Sequence, residues 1–246
     1  MRAVITAGGT VGGEFASAIG TPIKALAPFR GGTLLDVAID ACEAAGVDGI
    51  AVVGGPEVRA QLGLRAVRVI DAVVDGRTNV LRALDAWPGE RFVYLTSDLP
   101  FATGAGVRDL IPRSGGAAVA MALAATDAYD ARFAAAPPHG VVLRGERVAN
   151  GSAFVIAAEA VAPARALATR FFDARKSLFS LALLLGPSLC LQFATKRLGI
   201  AEIEAYGTRK LGLPVTALRG CDPGLCYDVD TLEEYRYACT HAERVR

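Results

Sequence analysis

Histidine is scarce in this 246-residue chain, with only His139 and His241. That leaves little material for a zinc site. The five cysteines, Cys42, Cys190, Cys221, Cys226 and Cys239, are odd in number, and no pair has C-x-x-C spacing. They read as reduced thiols that pack as small hydrophobes. An excess of one charge is missing too. With 26 Lys plus Arg against 25 Asp plus Glu, nothing electrostatic selects nucleic acid as the main partner. A local basic gathering does exist at Arg170, Arg175 and Lys176. No apolar run reaches the roughly 20 residues that a membrane-spanning helix needs. The strongest, "LFSLALLLGPSLCLQF" at 178–193, is broken by Gly186-Pro187 and reads as two short packed helices. A partner or membrane face is the alternative for it. The chain opens with no charged-then-apolar leader, so a cytoplasmic location is expected.

About half of the residues are apolar and a fifth are charged, enough for one sizeable domain with a real core. Short β-rich runs alternate with helical ones. Arg2–Thr6, 49–55 ("GIAVVGG"), 66–70 ("AVRVI") and "RFVYLTSDLP" read as strands, and so does "AAVAMALAA". Leu34–Ala45, 79–86 and 105–111 have helical spacing. Apolar strands without polar alternation belong to parallel sheets covered on both faces. The expectation is a three-layer α/β/α fold with a mostly parallel sheet. Further on, 151–157 reads as a strand and 158–211 as helical, while "PVTAL" and "LCYDV" read as short strands. Thr231 and Glu234 form an S/T-x-x-E capping box that should open the last helix. We expect a single domain, 1–246, with 170–212 as a helical insertion.

The stretch "ITAGGTVGGEFASAIGTPIKALAPF" follows the first strand. Its glycines lack the glycine-lysine-hydroxyl triplet of a P-loop. They also miss the G-x-G-x-x-G fingerprint, since Pro22 lies where that helix should run. A long loop from Ala7 to Phe29 is therefore expected, and long loops in compact domains are usually functional. Lys24, behind Pro22, offers a point charge that suits a polyphosphate. Asp98 sits at the C-terminal tip of its strand, where open parallel sheets bind ligands. A hard carboxylate there suits Mg²⁺ on nucleotide phosphates. Asp228 and Asp230, in "YDVDT", end another strand-like run.

The ordered set "AGG…PIK", "VVGG", "LTSDLP", "NGSAF" and "DVDTLEE" resembles the MobA-like nucleotidyltransferase superfamily, whose fold is the Rossmann-like GT-A type. The resemblance implies a Mg²⁺-dependent enzyme that moves NMP from an NTP to a small phosphorylated acceptor and releases pyrophosphate. It implies phosphate binding by the amides of Ala7, Gly8 and Gly9, and charge neutralisation by Lys24. It implies metal binding by Asp98 with Asp230, or with Asp228 as the alternative. The base is expected near Gly54-Gly55 and Thr78-Asn79, and Asn150 is a candidate for the acceptor. Phosphoryl-type transfer asks mostly for positioning and charge, which agrees with so few histidines.

One departure stands out. The family loop carries an arginine where this chain has Gly13, Glu14 and Phe15; Arg30 is the candidate substitute, and Glu14 would repel a triphosphate that it faced. Each residue also has a plainer role: Asp98 as a turn cap, Asp228 and Asp230 as helix-start carboxylates, Asn150 as a left-handed turn residue, Lys24, Arg175 and Lys176 as solvated charges. Two other functions stay open. One is a degenerate nucleotide-binding module, and the other is a GT-A glycosyltransferase using Asp228-x-Asp230 as its D-x-D motif. The identity of the base and the acceptor stays open, and so does assembly as a monomer or a homo-oligomer.

Overall fold

The computed structural model describes residues 1–174, 184 and 186–242. Arg175, Lys176 and most of the 178–185 run lie outside the described residues. Ten strands are described: β1 (Arg2–Thr6), β2 (Pro28–Phe29), β3 (Gly32–Thr33), β4 (Gly49–Gly54), β5 (Arg68–Asp71), β6 (Phe92–Thr96), β7 (Val119–Ala125), β8 (Val141–Leu143), β9 (Glu146–Ile156) and β10 (Val215–Leu218). Helices α1 (Gly13–Ile19), α2 (Leu34–Ala45), α3 (Pro56–Leu62), α4 (Gly76–Leu84), α5 (Gly104–Arg113) and α6 (Thr126–Arg132) run through the first half. They are followed by α7 (Val161–Ala174), α8 (Pro187–Ala194), α9 (Ile200–Leu211) and α10 (Leu232–Thr240).

The main sheet has the order β10-β7-β9-β6-β1-β4-β5, with β8 added to β9. The pairs β1–β4, β1–β6, β4–β5 and β7–β10 are parallel, and β9 runs antiparallel to β6, β7 and β8. The sheet is therefore mixed and mostly parallel, as the unalternated apolar strands predict. Residue period two splits its faces. Ala3 and Ile5 of β1 pack with Leu35, Ile39 and Leu110 under α2 and α5. Val4 packs on the opposite face with Ala83, Leu84 and Phe92, beneath α4 and α7. Both faces are dry, and the three layers follow.

Several boundaries differ from the sequence expectation. The 7–29 stretch is not one loop. It contains α1, which ends at Gly20 in the left-handed conformation (φ 73°), just short of Pro22. Helix α4 begins at Gly76 because the Asp75 side chain accepts the N–H of Thr78 at 3.0 Å. The expected "LCYDV" strand is absent. Asp222 caps a single 3-10 turn over Pro223–Leu225, and 226–230 follow as irregular chain. Its apolar residues are buried: Tyr227 and Val229 fill a cluster with Phe101, Tyr129 and Phe133. Apolarity there signals burial, not strand pairing. The β8–β9 hairpin and α6 were not expected. The described residues of 158–211 include α7, α8 and α9, of which α8 and α9 place Leu189 and Ile200 against Leu123 and Val148. The Thr231 capping box opens α10 as predicted.

Candidate active site

The C-terminal ends of β1 and β6 lie side by side, paired in parallel with Thr6 opposite Thr96. Beyond β1 the glycine stretch doubles back on the Pro-x-Lys segment. The Val11 N–H bonds the Pro22 carbonyl at 2.8 Å, and the Lys24 N–H bonds the Gly9 carbonyl at 3.0 Å. Thr10 and Ile23 form an antiparallel bridge between them. This lacing sets Lys24 at the start of a 3-10 turn with its side chain over the tip of β6. Its ammonium lies 2.5 Å from Asp98 Oδ2 and 2.7 Å from Asp230 Oδ1. Burial alone would lower the Lys24 pKa, but Asp98, and then Asp230, more than offset it. The net direction is upward, so Lys24 stays charged.

Asp98 is brought there from β6 and Asp230 from the far end of the chain. The Asp98 carbonyl accepts the Val229 N–H at 3.0 Å, which docks the 228–230 segment on the tip. Asp98 Oδ1 is buried and has no hydrogen-bond partner among the described residues. Asp228 accepts from Ser152 Oγ at 3.2 Å and stands 3.9 Å from His139 Nδ1. Its carboxyl is pushed up from the usual range, first by burial and then by the charges of Asp98 and Asp230, while His139 acts the other way. Among the described residues, no three or more His, Cys, Asp or Glu side chains converge as a metal cage. The ammonium of Lys24 bridges two of the three carboxylates instead. The donor types still suit a hard divalent cation: two carboxylates meet the ammonium, the charge of Asp228 lies close to both, and a buried carboxylate oxygen lacks any partner among the described residues.

The other predicted residues are placed unequally. A cleft of about 200 Å³ is lined by Thr6, Gly8, Gly9, Lys24, Asn79 and Asp98, among others. Ala7 does not offer its amide to it, because that N–H extends the sheet to Val53 O at 2.8 Å. Gly54 is not among the lining residues. A Cβ on it would come within 2.4 Å of Val58 Cγ1, so glycine there lets α3 pack on β4. Asn79 is buried, with its amide bonded to the Val73 backbone. Asn150 is not a turn residue: it lies within β9, opposite Leu123, and its carbonyl faces His139 Nε2 at 3.4 Å. Glu14 is not among the residues that line the cleft, and it pairs with Arg236 of α10 at 3.0 Å. Arg30, the candidate substitute for the loop arginine, is not among the residues that line the cleft; its guanidinium bonds the Ala242 carbonyl and lies over the Phe29 ring.

Sequence reasoning passed over Ser152 and His139, which flank Asp228, and Gly76 and Val80, which line the cleft. The "DGRTN" run, with Asp75 as a helix cap, was the available signal for Gly76. His139 had none, since its approach to Asp228 spans nearly ninety positions.

Residues 3–181 match the model of the MobA-like NTP transferase domain. A hypothetical transferase from Thermus thermophilus is 28% identical, with a TM-score of 0.84 over 95% of this chain and 98% of its own. A nucleotidyl transferase from Methanothermobacter is 18% identical, covering 100% of this chain and 98% of its own, with a TM-score of 0.60. Rv0371c from Mycobacterium tuberculosis, in complex with manganese, is 19% identical over 97% of each chain, with a TM-score of 0.54. No curated protein matches the sequence. Among the described residues no helix is long and apolar enough to cross a membrane.

Proposed function

The chain belongs to the MobA-like NTP transferase family, and on that premise we propose that it is a Mg²⁺-dependent nucleotidyltransferase. It would transfer NMP from an NTP to a small phosphorylated acceptor. The observation that carries this reading is the Lys24–Asp98–Asp230 cluster beside the glycine loop. A phosphate oxygen of the acceptor attacks the α-phosphorus, the bond to the bridging oxygen breaks, and pyrophosphate leaves. No protein nucleophile is required.

Each residue then has a task. The Gly8 and Gly9 amides, which make no hydrogen bond among the described residues, are the loop donors for phosphate oxygens. Lys24, kept charged by its neighbours, exchanges a carboxylate partner for phosphate and neutralises charge as the α-phosphorus reacts. Asp98, with Asp228 and Asp230, would hold the Mg²⁺, which when bound would neutralise the phosphates and the departing pyrophosphate. Asn150, in β9 with its carbonyl toward His139, would serve the acceptor. Metal binding would also favour the ionised form of Asp228 against its burial.

The test is pyrophosphate release from each of the four NTPs with Mg²⁺ and a panel of sugar phosphates, phosphonates and pterin phosphates. Release with one pair, abolished in Asp98→Ala, supports the proposal. No release with any pair sinks it.

A second reading, a nucleotide-binding module without turnover, is favoured by the ion-paired state of Lys24 and by the absence of an arginine on the loop. Calorimetry separates the two, since metal-dependent NTP binding with no turnover selects the module.

A further inference from the structure

Asn79 has one buried task that its place in the cleft conceals. Its side-chain Oδ1 accepts the Val73 N–H at 2.8 Å, and its Nδ2 donates to the Val73 carbonyl at 2.8 Å. The residue is only 5% exposed. One amide thus satisfies both polar groups of a single backbone unit, a clip that fixes where the chain between β5 and α4 runs. Two further restraints pin the same segment: the Ala72 N–H bond to Gly54 O at 2.9 Å, and the Asp75 cap on α4. Such restraint would be expected of a core loop. Yet this segment displays Val74 with its side chain wholly in solvent, and Val73 beside it is 38% exposed.

The clip also meets the glycine loop. A Cβ added to Gly8 would fall 2.8 Å from Asn79 Nδ2 and 3.5 Å from Ala72 Cβ. Gly8 has no left-handed backbone to explain its identity. What excludes a side chain there is the Asn79 amide, which two hydrogen bonds hold in place.

We propose that Asn79 is a positioning residue that couples two walls of the NTP subsite, the Gly8–Gly9 loop and the start of α4 at Gly76–Val80, without itself reading the base. This rests on the nucleotidyl-transfer reading above. In it the pinned start of α4, with Gly76 and Val80 lining the cleft, packs against the nucleoside, and the glycine loop holds the phosphates. Asn79 sets the separation between them. Its removal therefore weakens every NTP alike.

The experiment is a double-mutant cycle on Gly8→Ala and Asn79→Ala, read by calorimetric binding of the four NTPs with Mg²⁺. Each single variant should weaken binding tenfold or more, equally for all bases. The double variant should bind no worse than Asn79→Ala, because truncation removes the atom that the new methyl meets. Where turnover is seen, Asn79→Ala should raise KM for the NTP and leave kcat within twofold. A base-selective loss in Asn79→Ala, or multiplicative losses in the double variant, overturns the inference. The same cycle in urea unfolding without nucleotide must show the same non-additivity, and additive effects there overturn the contact itself. Wild-type protein that binds no NTP while the urea cycle couples would instead defeat the functional reading.

Discussion

The carbonyl of Asp98 accepts the N–H of Val229 at 3.0 Å, and this bond joins the tip of a central strand to the irregular segment 226–230. Through it Asp228 and Asp230 arrive beside Lys24. Neither is brought there by a strand of its own.

Lys24 and Asp98 are 14% and 12% exposed, so their 2.5 Å ion pair is largely desolvated. Removing one partner leaves the other charge buried without compensation. Lys24→Ala should lower stability by on the order of 3 kcal/mol, and Lys24→Ala with Asp98→Ala should recover much of that. Urea unfolding of the three variants checks it, and additive losses would refute it.

Asp228 titrates above the ordinary carboxylate range, so its sign is that of a destabilising charge. A folded pKa above the unfolded one means stability present at about pH 4 and below, lost as pH rises through the folded value. Without metal, Asp228→Asn should therefore raise Tm at pH 7 and leave it unchanged near pH 3.5. Added Mg²⁺ should stabilise the wild type more than the variant. A Tm gain that is the same at both pH values would contradict the burial of this charge.

Glu14 is paired with Arg236, and both are exposed, at 77% and 65%. Exposed pairs contribute little, about 0–1 kcal/mol. Glu14→Gln should change NTP affinity less than twofold, because the carboxylate pairs with Arg236 of α10 and does not line the cleft. A tenfold gain in affinity would show that it does repel the triphosphate.

A methyl on Gly54 meets Val58 at 2.4 Å. Overpacking of this kind costs about 1–3 kcal/mol, and Val58→Ala should relieve most of it. Thermal melts of the single and double variants decide the point. If Gly54→Ala instead left stability intact and abolished NTP binding, Gly54 would belong to the nucleotide site after all.

Much of this was legible in the chain. Unalternated runs such as Arg2–Thr6 and "FVYLT" revealed strands buried on both faces, and Thr231 with Glu234 announced the start of α10. Asp98, just past the end of its strand, pointed to the C-terminal edge of the sheet, where it meets Lys24. These signals are local: a period, a cap or a strand end lies within a few residues and needs no partner.

What the tertiary structure alone decided depends on partners far away in the chain. Lys24 and Asp230 are 206 positions apart, and no local pattern says that one ammonium bridges that carboxylate and Asp98. Ala7, at the head of the glycine stretch, gives its N–H to Val53, and Gly54 yields to Val58. The apolar "LCYDV" run fills an aromatic cluster instead of pairing as a strand. Periodicity reports which side chains seek burial. It does not report which neighbours bury them, because that is settled by packing and hydrogen bonding across the whole fold.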